Sequence, residues 1–115
     1  MNVLQLLKAQ QMAAERELVL TAAATLTHAQ LMDNVLIVAN DADGFAITLP
    51  AASAELAGCI VLVANKGAGN ATVTVAAGFG GAGSGTDTDT LAQGDMALVA
   101  CDGSYWYSLH HTTGA

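Results

Sequence analysis

The feature that most constrains this chain is its punctuation. Short apolar or alternating segments recur about every 10 residues, and Gly, Asn, Asp and Pro separate them, the pattern of an antiparallel sandwich or barrel. Residues 17–21, 34–39, 45–49, 59–64, 71–76, 96–101 and 105–109 read as strands. The run 59–64 is unbroken in its hydrophobicity, as a central strand requires. Residues 71–76 alternate Thr with Val, as a half-exposed strand does. Asn40 to Gly44, Asn65 to Asn70 and Gln93 to Asp95 supply turns, and Asp102-Gly103 is a hairpin signal. The only proline, Pro50, ends the strand 45–49, because proline removes a ladder donor. Thr27 is placed to cap a short helical turn within 25–33, and Ser53 to Gly58 suits a single turn. No long internal period is visible.

Residues 2–16 differ in kind. They hold good helix formers with no Gly or Pro, and Val3, Leu4 and Leu7 share one face. A helix of about 15 residues is marginal alone and needs a groove or a partner. It serves equally as an arm reaching away from the domain or as a helix folded back on it. The expected organisation is therefore a helical arm over 1–16 and a β domain over 17–115. The fold class is mainly β: an antiparallel β-sandwich or barrel, jelly-roll-like, with a short N-terminal α-helical arm. The tail from His110 onward reads as loose.

Composition bears on what such a domain does. Hydrophobic residues make up 53% and charged residues 11%, against about 25% charged in an average soluble domain. Small uncharged side chains must cover the surface, which suits a subunit that buries itself against copies or a host surface. The net charge is −7, and the three basic residues Lys8, Arg16 and Lys66 lie far apart. Phosphate binding needs clustered Lys and Arg, so direct nucleic-acid binding is not expected. Neither is an anionic membrane, and no run of about 20 apolar residues spans one. The N-terminus has no basic region of the signal-peptide kind, so synthesis in a cytoplasm is expected. There Cys59 and Cys101, each inside an apolar run, act as buried free thiols rather than a disulfide.

No catalytic set assembles. The glycine-rich segment 78–85 lacks the Gly-Lys-Ser/Thr and the βαβ setting of a phosphate loop. Asp87 and Asp89, with Asp95 beyond, offer too few oxygens in too irregular a spacing for calcium, and read as an exposed acidic loop. Asp41 and Asp43 are turn formers. His110 and His111 are adjacent on a strand and so face opposite ways, a poor chelating pair. Trp106 is the anchor of the last hairpin. No enzyme activity, cofactor or metal is expected.

Several segments together resemble a module of tailed-bacteriophage structural proteins. They are Ile47-Thr-Leu-Pro-Ala51, Gly58-Cys-Ile-Val-Leu-Val-Ala-Asn65 with Lys66-Gly67, and Ala71-Thr-Val-Thr-Val75. Leu91-Ala-Gln-Gly-Asp95 and Val99-Ala-Cys-Asp-Gly-Ser-Tyr-Trp-Tyr107 complete the set. In that module a strand ends at Leu-Pro, an apolar strand ends at Asn-x-Gly, and the final hairpin carries Asp-Gly-x-x-Trp. The resemblance covers a little over half the chain. It implies a virion protein of the capsid decoration (cement) or head-fibre type, commonly a homotrimer. A short chain that begins at its own Met1 and carries a helical arm points to a decoration protein on the capsid exterior. Its expected partners are copies of itself and the major capsid protein, with no nucleic acid and no membrane. Val3, Leu4, Leu7 and Met12 are the candidate capsid contacts, and Phe79, Asp87 and Asp89 candidate exposed loop contacts. The alternative is a head-fibre or tail appendage that binds a host receptor or carbohydrate, with the glycine-rich loop and Trp106 facing outward.

Overall fold

Alternation and turn chemistry carry through to the computed structural model, which describes residues 16–75, 78–80 and 88–112. In chain order the elements are β1 (Glu17–Leu20), β2 (Ala24–Thr25), α1 (His28–Asp33), β3 (Leu36–Ala39), β4 (Phe45–Thr48) and a 3-10 turn (Ala54–Leu56). They continue with β5 (Ile60–Asn65), β6 (Ala71–Thr74), β7 (Thr88–Leu91), β8 (Met96–Cys101) and β9 (Trp106–His111). Thr27 caps α1 as expected. Its hydroxyl accepts from the Gln30 N–H at 3.1 Å while the Gln30 side chain accepts from the Thr27 N–H at 3.0 Å, closing a capping box. The helical arm expected over 2–16 lies outside the described residues apart from Arg16. The Arg16 carbonyl accepts from Val35 and Leu36 beside β3.

The mainly β sandwich expected from the sequence forms as two packed sheets. One has five strands in the order β1-β3-β5-β8-β9, the other four in the order β2-β4-β6-β7. They are mixed rather than wholly antiparallel. Strands β1, β3 and β5 run parallel in the larger sheet, and β2, β4 and β6 run parallel in the smaller. Parallel neighbours need a crossover. Here the crossover is the opposite sheet, because from β1 to β6 each successive strand enters the other layer. Only then does the chain fold back on itself: β7 pairs antiparallel with β6, β8 with β5, and β9 with β8.

This winding holds a repeat that the sequence concealed. Leu36 lies beside Leu62 and Phe45 beside Ala71, the same 26-residue offset in both sheets (62 − 36 and 71 − 45). Residues 36–49 therefore stack on residues 62–75. What repeats is the strand-turn-strand geometry and its buried aliphatics, Ile37 over Val63 and Ile47 over Val73. The two connecting turns stack as closely as the strands. Gly69 N–H donates to the Asp41 carbonyl at 3.0 Å, and Gly67 N–H to the Ala39 carbonyl at 3.2 Å. A Cβ on Gly69 would meet the Gly44 nitrogen at 2.0 Å, and one on Gly67 the Asp41 nitrogen at 2.3 Å. Those two positions accept only glycine unless backbone moves.

The inner faces form one core. Ile37, Val61, Val63, Ala97, Val99 and Trp106 from the larger sheet meet Ile47, Val73 and Leu91 from the smaller, and Leu26, Leu31 and Leu56 close the ends. Trp106 is 1% exposed and its indole N–H donates to the Pro50 carbonyl at 2.8 Å. Its ring lies in the core at the start of β9.

Two readings give way. Residues 88–91 form strand β7 rather than a polar loop, because Leu91 is buried and the run pairs with β6. The tail is not loose at His110, since β9 runs through His111.

Candidate functional site

Residues alternate across a strand, so each sheet has an inner and an outer set. In the larger sheet the register aligns the outer set into rows across the strands. Ile60, Ala100 and Tyr107 form one row. Glu17, Leu36, Leu62, Leu98 and Leu109 form the next, and Val19, Val38, Ala64, Met96 and His111 the third. The face is apolar almost throughout, with Glu17 on one edge strand and His111 on the other. Most of its large side chains are exposed: Leu109 is 70% exposed, Ile60 58% and Val19 52%, and Leu62, Leu98, Met96 and Tyr107 are exposed too, while on β3 Leu36 is half-buried and Val38 buried. Single exposed leucines need no explanation, but a contiguous apolar face does. Strands about 4.8 Å apart and residues about 3.3 Å apart make it about 24 Å by 17 Å, or about 400 Å² in projection. That lies within the roughly 300–600 Å² of the largest patch on a typical monomer, which is often functional.

A second feature joins the two sheets along one border. His110 Nδ1 lies 2.5 Å from Asp89 Oδ1, and its Nε2 lies 3.1 Å from Asp95 Oδ2, both hydrogen-bonding distances. Ser108 donates to the other Asp89 oxygen at 2.5 Å. Asp89 belongs to β7 of the smaller sheet, His110 and Ser108 to β9 of the larger. A neutral imidazole donates through one nitrogen only, so the protonated ring is the form that satisfies both contacts at once. Burial pulls its pKa down, but the hydrogen bonds and charges of Asp95 and Asp89 outweigh this, and the net shift is upward. The serine donates to Asp89 and not to the histidine, so the group is no nucleophile-base relay. It works as a clasp between layers.

Asn65 completes this border. It is 3% exposed, and its amide donates to the Gly69 and Leu91 carbonyls at 2.8 Å each while its oxygen accepts from the Gly67 N–H at 3.0 Å. It ties the stacked turns to β7. At the other end of β9, the Asp102 carboxylate accepts from the Ser104 and Tyr105 N–H groups and from the Tyr107 hydroxyl. The backbone bond from Tyr105, then that from Ser104, hold the Asp102 carboxyl below its ordinary range. Tyr107 is pushed up by the same contact with Asp102.

The residues singled out in the sequence distribute as follows. Val3, Leu4, Leu7, Met12 and Asp87 lie outside the described residues. Phe79 is partly buried against the core and bridges Trp106. Asp89 is on β7 with its carboxylate 15% exposed and turned onto β9, not on an exposed loop. Trp106 faces inward. His110 and His111 point to opposite faces, as adjacent strand residues must. Cys59 and Cys101 are both buried and free, and burial, with Cys101 nearby, pushes the Cys59 thiol up. Among the described residues no group of three His, Cys, Asp or Glu is placed to hold a metal ion. Among them, too, no helix is long and apolar enough to cross a membrane.

The apolar face and the clasp were the features that residue-by-residue reading missed. The face was present as the second half of each alternation, Ile60-x-Leu62-x-Ala64 and Met96-x-Leu98-x-Ala100. The run 59–64 reads as a central strand and 96–101 as a strand, and in a two-layer sandwich one side of each must be outside. Comparison with protein families, with curated proteins and with solved structures finds no match.

Proposed function

We propose that this chain is a non-enzymatic structural subunit of a tailed-phage particle. It is a capsid decoration protein that binds the outside of the head shell as a homo-oligomer and bridges neighbouring shell subunits. The observation that carries this reading is the run of exposed aliphatic side chains on the outer face of the five-stranded sheet, Ile60, Leu62, Met96, Leu98 and Leu109. A chain with that face gains its free energy by covering it, and adhesion is the task such a surface suits. The phage context rests on the motif resemblance described above. The segment before Arg16 enters at β1, an edge strand of the same sheet. Val3, Leu4, Leu7 and Met12 in that segment are the proposed shell contacts, on the strength of their apolar pattern in the sequence.

The test is co-sedimentation with phage heads stripped of decoration protein. The full chain should pellet with them at saturable stoichiometry. A variant lacking residues 1–15 should keep its β circular dichroism spectrum and stay in the supernatant. Full occupancy by the truncated chain would refute the role given to the N-terminal segment. A full chain that never pellets would refute the decoration role.

One observation favours a second reading, an appendage that binds carbohydrate. Tyr105 and Tyr107 are 44% and 46% exposed at the tip of the β8-β9 hairpin beside the Asp102 carboxylate. Glycan-array binding lost on Tyr105→Ala would establish it.

A further inference from the structure

The apolar face suggests its own occupant. We infer that it is covered by the same face of further copies of this chain, related by a rotation axis that runs along the strands, so that Glu17 of one copy meets His111 of the next. This rests on the reading of the chain as an assembling subunit, and names the surface that assembles.

Two observations select a copy of the chain. The first is charge. A chain of net charge −7 repels itself, so copies can pack only through a face free of like charge. The three rows hold eleven uncharged side chains and, at opposite edges, one acid and one histidine. Of the other described acids, Asp33 ends α1, Asp41 and Asp43 lie in a turn, Glu55 on the 3-10 turn, and Asp89 and Asp95 in the clasp, while Asp102 stands at one corner of the face, where its carboxylate accepts from the Tyr107 hydroxyl. The face is thus compatible with itself, and its two polar residues complement each other across copies but not within one.

The second is size and shape. Sheets pack face to face about 10 Å apart, with strands aligned to within about 30°. A face of about 400 Å² in projection, enlarged by side-chain relief, makes the apolar centre of an interface that buries about 800 Å² per partner at standard size. Its polar rim would then come from the borders of the sheet.

The axis follows from the edges. β1 and β9 are the two outer strands of this sheet. An axis along the strands sets β1 of one copy beside β9 of its neighbour, whether the assembly closes as a pair or as a ring of three. Glu17 shares a row with Leu109, one row from His111, about 7 Å along the strand. Two such side chains span that distance. An axis in the sheet plane but across the strands would set β1 against β1, and Glu17 against Glu17.

The experiment measures mass by light scattering and self-association by sedimentation, apart from any capsid. The wild-type chain should exceed its monomer mass of 11.5 kDa. Leu98→Asp, at the middle row, should weaken association at least about 100-fold with an unchanged circular dichroism spectrum, since a charge would be buried unpaired. Glu17→Lys should weaken it about 3- to 10-fold, the scale of a partly exposed pair. Adding His111→Glu to that variant should restore it. Restoration by the double exchange supports the axis along the strands, and its failure overturns that axis. A wild-type monomer at high micromolar concentration overturns the whole inference, including the case in which residues 1–15 cover the face within one copy. Deleting 1–15 separates the two readings: self-association that persists while capsid binding is lost upholds this surface and the N-terminal role together.

Discussion

The two sheets are alike inside and opposite outside. Both inner faces are built mainly from buried aliphatics, Ile37, Val61, Val63 and Val99 on one and Ile47, Val73 and Leu91 on the other, and they meet in one core. The outer face of the larger sheet carries Ile60, Leu62, Met96, Leu98 and Leu109. The outer face of the smaller sheet carries threonine: Thr72 beside Thr90, and Thr48, Thr74 and Thr88 in the next row, with Thr25 against Thr48. Threonine and the branched aliphatics both suit a pleated backbone, so strand formation does not explain the difference. Solvent does. A hydroxyl on each residue satisfies water without adding charge, whereas leucine outside is favourable only when something covers it. One fold therefore has a side made for water and, on the proposed function, a side made for contact.

The largest expected effect comes from erasing that difference. Replacing Leu62, Leu98 and Leu109 together by Thr gives the larger sheet the outer face of the smaller. Burying one leucine is worth about 1.5–3 kcal/mol, or at least about tenfold in affinity. The triple variant should lose about 1,000-fold or more in self-association, while its thermal midpoint as a monomer stays close to wild type. Light scattering across a dilution series reads the first and circular dichroism melting the second. An unchanged oligomer would mean that the two faces, despite their chemistry, do the same thing.

How much of this was legible in the sequence depends on which physical signal carries it. Strand positions and turns were local matters. Thr27, Pro50, Gly44 and Asp102-Gly103 each impose a backbone state on their own neighbourhood, and each sits where such a residue should. Trp106 was legible as an anchor because a lone indole in a small apolar hairpin has few other uses. Strand direction was not legible. The turn from Ala39 to Phe45 looks like a hairpin, and only the register of Leu36 with Leu62 reveals that it crosses between layers. The 26-residue stacking was hidden because the matched turns, Asn40 to Gly44 and Lys66 to Asn70, share their shape but of their residues only the alanine, Ala42 with Ala68. The clasp was hidden for the same kind of reason. Asp89, Asp95, Ser108 and His110 come together only once β7 and β9 are in different sheets.

Next in size is the joint beneath both faces. Asn65→Ala leaves the Gly69 and Leu91 carbonyls and the Gly67 N–H without their partner. Unsatisfied buried groups cost about 1–3 kcal/mol each, and water admitted at the border recovers part of it. A loss of about 2–3 kcal/mol in denaturant unfolding is expected. Because Asn65 serves both layers, association should fall only as far as the folded fraction falls. A loss of association beyond that would show that the joint shapes the contact face directly.

The clasp sharpens the comparison through pH, since it binds the border of the Thr-faced sheet to the border of the contact sheet. His110 has its pKa raised in the folded chain. The folded state therefore holds this proton more tightly than the unfolded chain. The stabilisation is complete below the ordinary histidine value of about 6.5, and it fades as pH rises through the raised value. Thermal midpoints measured from pH 6 upward should fall through that window, and His110→Gln should flatten the fall. If the slope survives in the variant, another group is responsible and the clasp is not what joins the layers.

The smallest effect belongs to the water-facing side, and there smallness is the point. Thr72→Val and Thr74→Val each keep β-branching and replace a hydroxyl by a methyl on a half-exposed position. The core side is untouched, because Val73 between them keeps its burial. Stability should move by no more than about 0.5 kcal/mol, the usual range for surface changes. Association of the native kind should not move at all. Extending the change to Thr48 and Thr90 should add something new: a second apolar face on the opposite side of the molecule. A chain with two such faces has no closed arrangement that covers both, and open-ended association follows. Concentration-dependent turbidity in the fourfold variant, absent in either single variant, would show that threonine on this side is what keeps the assembly finite.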